Sequence, residues 1–149
     1  MSEKITPKHL RDFMLEGIPE PVEFVETTAV VPGVQCDVYR FTQDESKDLG
    51  IVTVQPGHQT PVQRVLLGDK TIEGFLDGSG LLGVRTGEHL TIYRYPESAE
   101  RSVVVEVGSS MQWQAAPDTS LVFSEICEPP YAAGRFENVT EISASERIL

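Results

Sequence analysis

Histidine, cysteine and acidic side chains carry most of the potential chemistry of this 149-residue chain, and few stand at a recognisable spacing. The three histidines, His9, His58 and His89, are too far apart in sequence for a His-x-His or His-x-x-x-His metal site. His58 directly follows the turn-forming pair Pro56-Gly57. There is no GxSxG, P-loop or dinucleotide-binding fingerprint. The sequence therefore excludes the common nucleotide-binding and serine-hydrolase motifs.

The charge balance of the chain limits its partners. Acidic residues outnumber basic ones by 23 to 12, so the formal net charge is −11. Such a surface repels nucleic-acid phosphates and anionic lipids, and we expect neither nucleic acid nor membrane as a partner. Cys36 and Cys127 are expected to be free thiols, because a chain of this length needs no disulfide and the start, MSEKITPKHL, lacks an apolar signal segment. These features predict a cytoplasmic protein.

The first 20 residues carry the signals of one short helix. Thr6 is a suitable N-cap, and Pro7 follows at the first helical position, where its missing N–H has no cost. Apolar residues then recur at helical spacing from Leu10 to Met14. Gly17 provides a C-terminal stop. We therefore predict a short N-terminal α-helix.

From residue 22 onward, short segments rich in Val, Ile, Thr, Tyr and Phe alternate with turn residues. Their regular spacing predicts an all-β sandwich, jelly roll or closed barrel instead of βαβ units. No repeat or linker interrupts them, so we predict one domain over 1–149, with a helix and arm at 1–21 and the barrel at about 22–139. The predicted strands are Val22–Val31, Gln35–Thr42, Gly50–Val54, Val62–Leu67, Thr71–Leu76, Leu81–Arg85, His89–Tyr95, Ser102–Val107, Ser110–Gln114 and Leu121–Cys127.

Three segments resemble the cupin superfamily. PGHQTPVQRVLLGDKTIEGFLDGSG, from Pro56 to Gly80, resembles the first cupin motif, in which a Pro-Gly turn leads to His-x-His, a Glu and a Gly-x-Gly hairpin. VGSSMQWQAAPDTSLVF, from Val107 to Phe123, takes the place of the second motif, and EICEPPY, from Glu125 to Tyr131, resembles the last barrel strand and exit turn. The resemblance covers roughly Leu49 to Tyr131 and implies a small, RmlC-like jelly-roll barrel.

The positions that hold metal ligands in that family carry other residue types in this chain. Gln63 and Val65 stand where the resemblance places the two first-motif histidines, and Thr71 stands at the glutamate position. Thr119 takes the place of the second-motif histidine, or Ser120 if the match is shifted by one residue. Transition metals need imidazole, carboxylate or thiolate donors. We therefore predict no metal at these positions and assign no cofactor.

The resemblance also implies which side chains face the barrel interior, because strand residues alternate between the two faces. The expected interior is mostly apolar with a few polar groups, which suits a small organic ligand. The predicted ligand-binding residues are Gln63, Val65, Thr71, Phe75, Thr119 and Phe123.

Glu73 and Glu125 fall on the same expected inward face. If both carboxyl groups share one enclosed space, burial and mutual repulsion raise at least one pKa and allow proton transfer near neutral pH. The alternative is that they are ordinary solvated acids at the barrel mouth or on its outside. His58, at the lip of the first motif, is a third catalytic candidate, with a structural or exposed role as its alternative.

Three functions remain open from the sequence. The first is binding of a small sugar- or acid-like molecule without a metal. The second is a metal-independent isomerase, epimerase or lyase that uses Glu73, Glu125 or His58 for proton transfer. The third is a structural pseudoenzyme whose barrel is filled by side chains. A homodimer is expected in each case, since the long strand predicted at Val22–Val31 would otherwise leave an open edge.

Overall fold

The described part of the chain consists of strands and the turns that join them. The computed structural model describes residues 10–15, 17–65, 70–128, 136–138 and 148–149. Within these residues there is no helix long and apolar enough to cross a membrane. The strands are β1 (Asp12–Leu15), β2 (Ile18–Val31), β3 (Val34–Phe41), β4 (Asp48–Val54), β5 (Gln63–Val65), β6 (Lys70–Gly78), β7 (Gly80–Thr86), β8 (His89–Tyr95), β9 (Ser102–Glu106), β10 (Ser110–Ala115), β11 (Leu121–Glu128) and β12 (Phe136–Asn138).

Two antiparallel sheets face each other. The larger has the order β1-β2-β3-β4-β11-β6-β9, and the smaller has the order β12-β5-β10-β7-β8. Between them lies a core to which both sheets contribute, with Val52 and Leu121 from the larger sheet and Leu82 and Met111 from the smaller. Burying each such side chain contributes about 1.5–3 kcal/mol to stability. This arrangement confirms the predicted all-β, jelly-roll-like fold.

The predicted N-terminal helix is wrong over its described part. Thr6 and Pro7 lie outside the described residues, but Asp12–Leu15 forms β1 and pairs antiparallel with β2. Gly17, with φ of +81°, lies in the turn between the two strands. A left-handed glycine ends a helix or closes a hairpin equally well, so this signal did not discriminate between them.

Burial along β1 follows a period of two, as in a strand. Phe13 and Leu15 are half-buried, whereas Met14 is 61% exposed. A helix would have placed Phe13 and Met14 side by side on one face. Phe13 and Leu15 instead pack on a second apolar cluster, on the outer face of the larger sheet. Covering this cluster outweighs the local helix signals.

β2 contributes to both faces of the larger sheet because it contains a bulge. Val22 and Phe24 pair with Phe41 and Tyr39 of β3, and all four belong to the outer cluster. Val25 has no partner on β3, and the pairing resumes one residue later. An extra residue in a strand reverses the alternation that follows it. Glu26 and Thr28 therefore point to the interior instead of the outer cluster, until a second shift in pairing between Ala29 and Val31.

The last two residues pack on the outer face of the smaller sheet. Ile148 is buried, and the backbone N–H of Leu149 donates a hydrogen bond of 3.3 Å to Gln112 Oε1. Gly83 makes this contact possible, since a Cβ built there would lie 2.2 Å from Ile148 Cγ2. Ile148 thus packs directly against the Gly83 backbone, where any larger residue would overlap it.

We predict that Gly83→Ala lowers the free energy of unfolding by about 1–3 kcal/mol, because the added methyl group overlaps Ile148. Urea denaturation of the full chain measures this loss. In an Ile148→Ala background the same substitution should have a smaller effect, since the two side chains then no longer collide. Equal losses in both backgrounds would contradict this packing.

Candidate functional site

A cavity of about 530 Å³ lies on the inner face of the larger sheet. Strands β2, β3, β4 and β11 supply most of its lining, and Gln63 of β5 adds an amide group. Val52 and Phe123 form apolar wall. Its polar groups include the carboxyl groups of Glu26 and Glu125. The cavity therefore combines apolar surface with a small set of hydrogen-bonding groups.

The bulge in β2 supplies one polar wall of this cavity. Glu26 and Thr28 follow Val25 and pair with Val38 and Cys36 of β3, and all four line the cavity. Without the extra residue, Glu26 and Thr28 would point toward the outer apolar cluster. The bulge thus determines the polarity of this wall.

Gly50 of β4 leaves room beside Glu125. The two residues are paired across β4 and β11, and both line the cavity. A Cβ built on Gly50 would lie 3.0 Å from Cys36 Sγ, closer than ordinary van der Waals contact. The Cys36 side chain therefore extends over the glycine. A larger residue at position 50 would fill this part of the cavity.

Glu73 lies directly across the sheet from Glu125. The two residues are register partners in the antiparallel pair β6–β11. Side chains of directly opposed residues project to the same face, with Cβ atoms about 5 Å apart. Glu73 is completely buried, whereas Glu125 is half-buried and reaches the cavity. The pair thus has one enclosed member and one member at the cavity wall.

The carboxyl group of Glu73 is anchored by the only tryptophan in the chain. Trp113 Nε1 donates a hydrogen bond of 2.7 Å to Glu73 Oε1. The indole also stacks on Phe123, with ring centroids 4.3 Å apart. Glu73 Oε2 and Thr71 Oγ1, both buried, make no hydrogen bond of standard geometry to the residues that the structure describes. Thr71 and Glu125 nevertheless lie close enough to the Glu73 carboxyl group to shift its pKa. Buried polar atoms without partners are uncommon and require a physical explanation.

Burial and the neighbouring carboxyl group favour the protonated form of Glu73. Desolvation is the largest cause and the charge of Glu125 the next, and together they raise the pKa of Glu73 well above its ordinary value. The hydrogen bond from Trp113 acts in the opposite direction but does not reverse the shift. Two carboxylates about 5 Å apart would repel by about 3 kcal/mol at an effective dielectric constant of about 20. Both effects raise the pKa of Glu73 and favour its neutral, protonated form.

The environment of Cys36 disfavours its thiolate form. Burial, followed by the charge of Glu125, raises the pKa of its thiol to about 12. A reactive cysteine needs a thiolate, which forms beside cations or helix N-termini. Cys36 instead lines the cavity as a neutral thiol.

The structure brings several of the predicted site residues together. Gln63, Phe123 and Glu125 line the cavity. Glu73 and Thr71 lie on neighbouring β6 and face Glu125 and Cys127 of β11.

Other predicted residues have positions away from the cavity lining. Val65 is fully buried in the core between the sheets, and Phe75 stacks on Tyr95 with ring centroids 4.8 Å apart. Thr119 is exposed in the turn between β10 and β11, where its hydroxyl donates to Asp118 Oδ1. The sequence match had placed Thr119 on the inner face of the last strand, but that strand begins at Leu121.

His58 also lies outside the cavity lining. It is exposed, and its Nδ1 lies 3.1 Å from the carbonyl oxygen of Pro56. Its ring covers Gly33 in the turn between β2 and β3, where a Cβ would approach His58 Cδ2 to 2.2 Å. His58 therefore packs between two loops. It is not among the residues that line the cavity.

The residues at the usual metal positions do not fit a transition metal. An amide, an isopropyl group and two hydroxyl groups occupy them, and Thr119 is remote from the other three, since it lies in an exposed turn. In the described ranges, no group of three or more His, Cys, Asp or Glu side chains is arranged to hold a metal ion. Imidazole and carboxylate donors are what such ions require.

Sequence reasoning missed the residues that β2 and β4 contribute to the cavity, above all Glu26, Thr28 and Asp48. One signal was present. Val22 and Phe24 are apolar at even positions, and Glu26 and Thr28 are polar at the next two even positions. Such a break in alternation indicates a bulge.

Comparisons with known proteins define the fold. No protein-family profile matches the chain, and no curated protein matches it. Among solved structures it resembles oxalate decarboxylase, with a TM-score of 0.60 and 18% identity over 72% of this chain and 28% of that one. A second structure, of Bacillus subtilis oxalate decarboxylase, comes from a study of the Mn(II) centres of that enzyme. It has a TM-score of 0.57 and 19% sequence identity, over 70% of this chain and 28% of that one. The structure of CapF with the inhibitor 3-isopropenyl-tropolone has a TM-score of 0.60 and 12% sequence identity. The match covers 80% of this chain and 34% of CapF.

These similarities confirm the cupin fold that the sequence motifs predicted. Identities below 20% support the fold alone. The chain spans only about a third or less of the length of these proteins, 28% of oxalate decarboxylase and 34% of CapF.

We predict that Glu73→Gln changes how stability depends on pH. Above the ordinary value of 4.5 the unfolded chain loses the Glu73 proton while the folded chain keeps it, so stability falls as pH rises, by up to about 1.4 kcal/mol per unit, until the folded group also ionises. Glutamine mimics the protonated acid and removes this loss. The melting temperature of the variant, relative to that of the wild type, should therefore increase as the pH rises above the ordinary glutamate value of 4.5.

Thermal melts of both proteins at several pH values measure this difference. Glu26→Gln removes a charge from the same cavity without touching Trp113 or Glu73, and it controls for the general effect of charge. Parallel pH profiles for the wild type and Glu73→Gln would contradict a protonated Glu73.

Proposed function

From the premise that this chain has a cupin fold, we propose that it binds a small, sugar-like organic molecule in the cavity without a metal ion. The observation that carries the proposal is the 530 Å³ cavity with apolar wall and a few polar side chains. Ligand sites of small molecules commonly have volumes of about 300–1,000 Å³ and this mixture of surfaces. A barrel filled by its own side chains would be a purely structural protein, and the cavity argues against that alternative.

The polar groups favour a neutral, hydroxyl-bearing ligand over a carboxylic acid. Glu26, Gln63 and Glu125 offer carboxyl and amide groups, which accept hydrogen bonds from hydroxyl groups. The described lining contains no Lys or Arg that would pair with a ligand carboxylate. Val52 and Phe123 provide apolar surface for the carbon skeleton. Of the two ligand classes that the sequence suggested, the sugar-like one therefore fits better.

The similar structures support the fold of this chain and not an activity. Oxalate decarboxylase acts on an acid, as its name states, and the Bacillus subtilis protein has Mn(II) centres. The corresponding positions here hold Gln63, Val65, Thr71 and Thr119, whose donor chemistry does not suit such an ion. We therefore propose a function that depends on the residues of this cavity. A homodimer and a cytoplasmic location remain predictions.

A second candidate function is metal-independent isomerisation, epimerisation or lyase chemistry on the bound molecule. The facing carboxyl groups of Glu73 and Glu125 favour it, because a protonated acid beside a group at the cavity wall can exchange a proton with a ligand. His58 is outside the cavity lining and is left out of this proposal.

We predict that D-glucose or D-xylose raises the melting temperature of the full chain and changes the fluorescence of Trp113, which stacks on the cavity residue Phe123. D-glucuronate should do so less, since it carries a carboxylate. Gly50→Val, which narrows the cavity beside Cys36, should abolish both effects. Val104→Ile enlarges an exposed side chain on the opposite face and provides the control.

The proposal fails if two results coincide. The first is that none of these sugars binds at millimolar concentration. The second is that native mass spectrometry of protein purified without denaturation detects only the bare chain.

For the second candidate, deuterium incorporation from D2O into a bound sugar, followed by NMR, measures proton transfer. We expect Glu73→Gln and Glu125→Gln each to lower such exchange by about 100-fold. Unchanged exchange in both variants would remove these residues as proton carriers.

A further inference from the structure

We propose that Glu73 and Glu125 form one acid–base unit, in which a single proton resides on Glu73 and reaches the cavity through Glu125. The inference deepens the proposed function, and its use by a ligand rests on that function. The proton-holding pair itself is a property of the protein alone. It can therefore be tested before any ligand is known.

The first step of the argument is the placement of the two carboxyl groups. They are register partners on adjacent strands and project to the same face of the sheet. Glu73 is completely enclosed, and Glu125 lines the cavity. Any proton that passes between Glu73 and the cavity therefore has Glu125 as its nearest carboxyl relay.

The second step is the orientation of Glu73 by Trp113. An indole N–H can only donate, so Glu73 Oε1 must accept the 2.7 Å hydrogen bond. The proton of the carboxylic acid then belongs on Oε2. Oε2 makes no hydrogen bond of standard geometry to another described residue, and the Glu125 carboxyl group on the opposing strand is close enough to interact with Glu73. Oε2 can therefore donate to Glu125. Trp113 thus selects which oxygen carries the proton.

The third step is the set of charges around Glu73. Glu125 lies on the adjacent strand β11. Two further titratable groups lie farther along the sheet: the Cys36 thiol on β3 and, near it, Asp48 on β4. The partner of Glu73 on β9 is Val103, and β10 contributes Trp113. Burial and the charge of Glu125 both favour the neutral form of Glu73. None of these named neighbours supplies a positive charge that would favour two carboxylates.

The proton transfer balances within the pair. The O–H bond of Glu73 breaks as an O–H bond to a Glu125 oxygen forms, and the negative charge moves from Glu125 to Glu73. Glu125 then gives that proton to a basic atom of the bound molecule, or takes one from it in the reverse direction. The unit suits a ligand with a hydroxyl or carbonyl oxygen in contact with Glu125.

Trp113 provides a built-in reporter for the test, because it is the only tryptophan and contacts Glu73 directly. We would titrate the fluorescence of the full-length chain with pH. The wild type should show a transition above the ordinary range of a glutamate. Glu73→Gln should lose this transition, and Glu125→Gln should lower its midpoint by about one pH unit or more, since a neighbouring charge is removed.

Infrared spectroscopy gives a second, independent measurement. A protonated carboxyl group in the folded wild type at neutral pH should produce a band that is absent in Glu73→Gln. Glu88→Gln, which changes an exposed carboxyl group in the turn between β7 and β8, should retain both the band and the fluorescence transition. Absence of the band in the wild type, or a fluorescence transition that persists in Glu73→Gln, would overturn the proposal.

These results separate the two proposals. If the raised fluorescence transition and the infrared band are observed but no sugar binds, the ligand proposal is rejected and the acid–base unit is retained. Sugar binding without a protonated Glu73 rejects the acid–base unit alone.

Discussion

The hydrogen bond between the Trp113 indole and the Glu73 carboxyl group is the constraint on which the interior depends. A completely buried carboxyl group is unfavourable unless it is neutral or paired. Here one oxygen accepts a hydrogen bond from Trp113, and a second carboxyl group lies directly across the sheet. The same indole stacks on Phe123, which is part of the cavity wall. Phe123 therefore belongs both to the apolar core and to the cavity wall.

The position of the cavity shows how a cupin fold can accommodate a site without its usual metal ligands. The motif positions hold an amide, a valine and two threonines, and only Gln63 among them lines the cavity. Most of the remaining lining comes from β2, β3, β4 and β11. The interior space thus lies against the larger sheet, where Gly50 and the β2 bulge create room and polarity.

Much of the fold could be predicted from the sequence, because alternation and turn residues are local signals. The strand regions and the cupin resemblance followed from them, and so did the shared face of Glu73 and Glu125. The N-terminal hairpin could not be predicted, since Gly17 suits a hairpin as well as a helix end and the outer cluster that Phe13 covers is formed by distant residues.

The candidate site was predictable in part, for a related reason. Thr119 was misplaced because a hairpin turn ends one residue beyond it, and strand ends are set by pairing with other strands. The contribution of Glu26 depended on a bulge whose position is fixed by β3. His58 covers Gly33, a contact between two turns that are distant in sequence. Each of these features arises from tertiary contacts and not from local pattern.

The bulge at Val25 has a consequence for how this protein can vary. A single strand carries outer-cluster residues before Val25 and cavity residues after it. Deletion of one residue there would exchange the two sets, bringing Glu26 and Thr28 against an apolar surface or Phe24 into the cavity. Substitutions can therefore alter the cavity lining at many positions. An insertion or deletion in this strand is not tolerated in the same way, because it would move residues from one face of the sheet to the other.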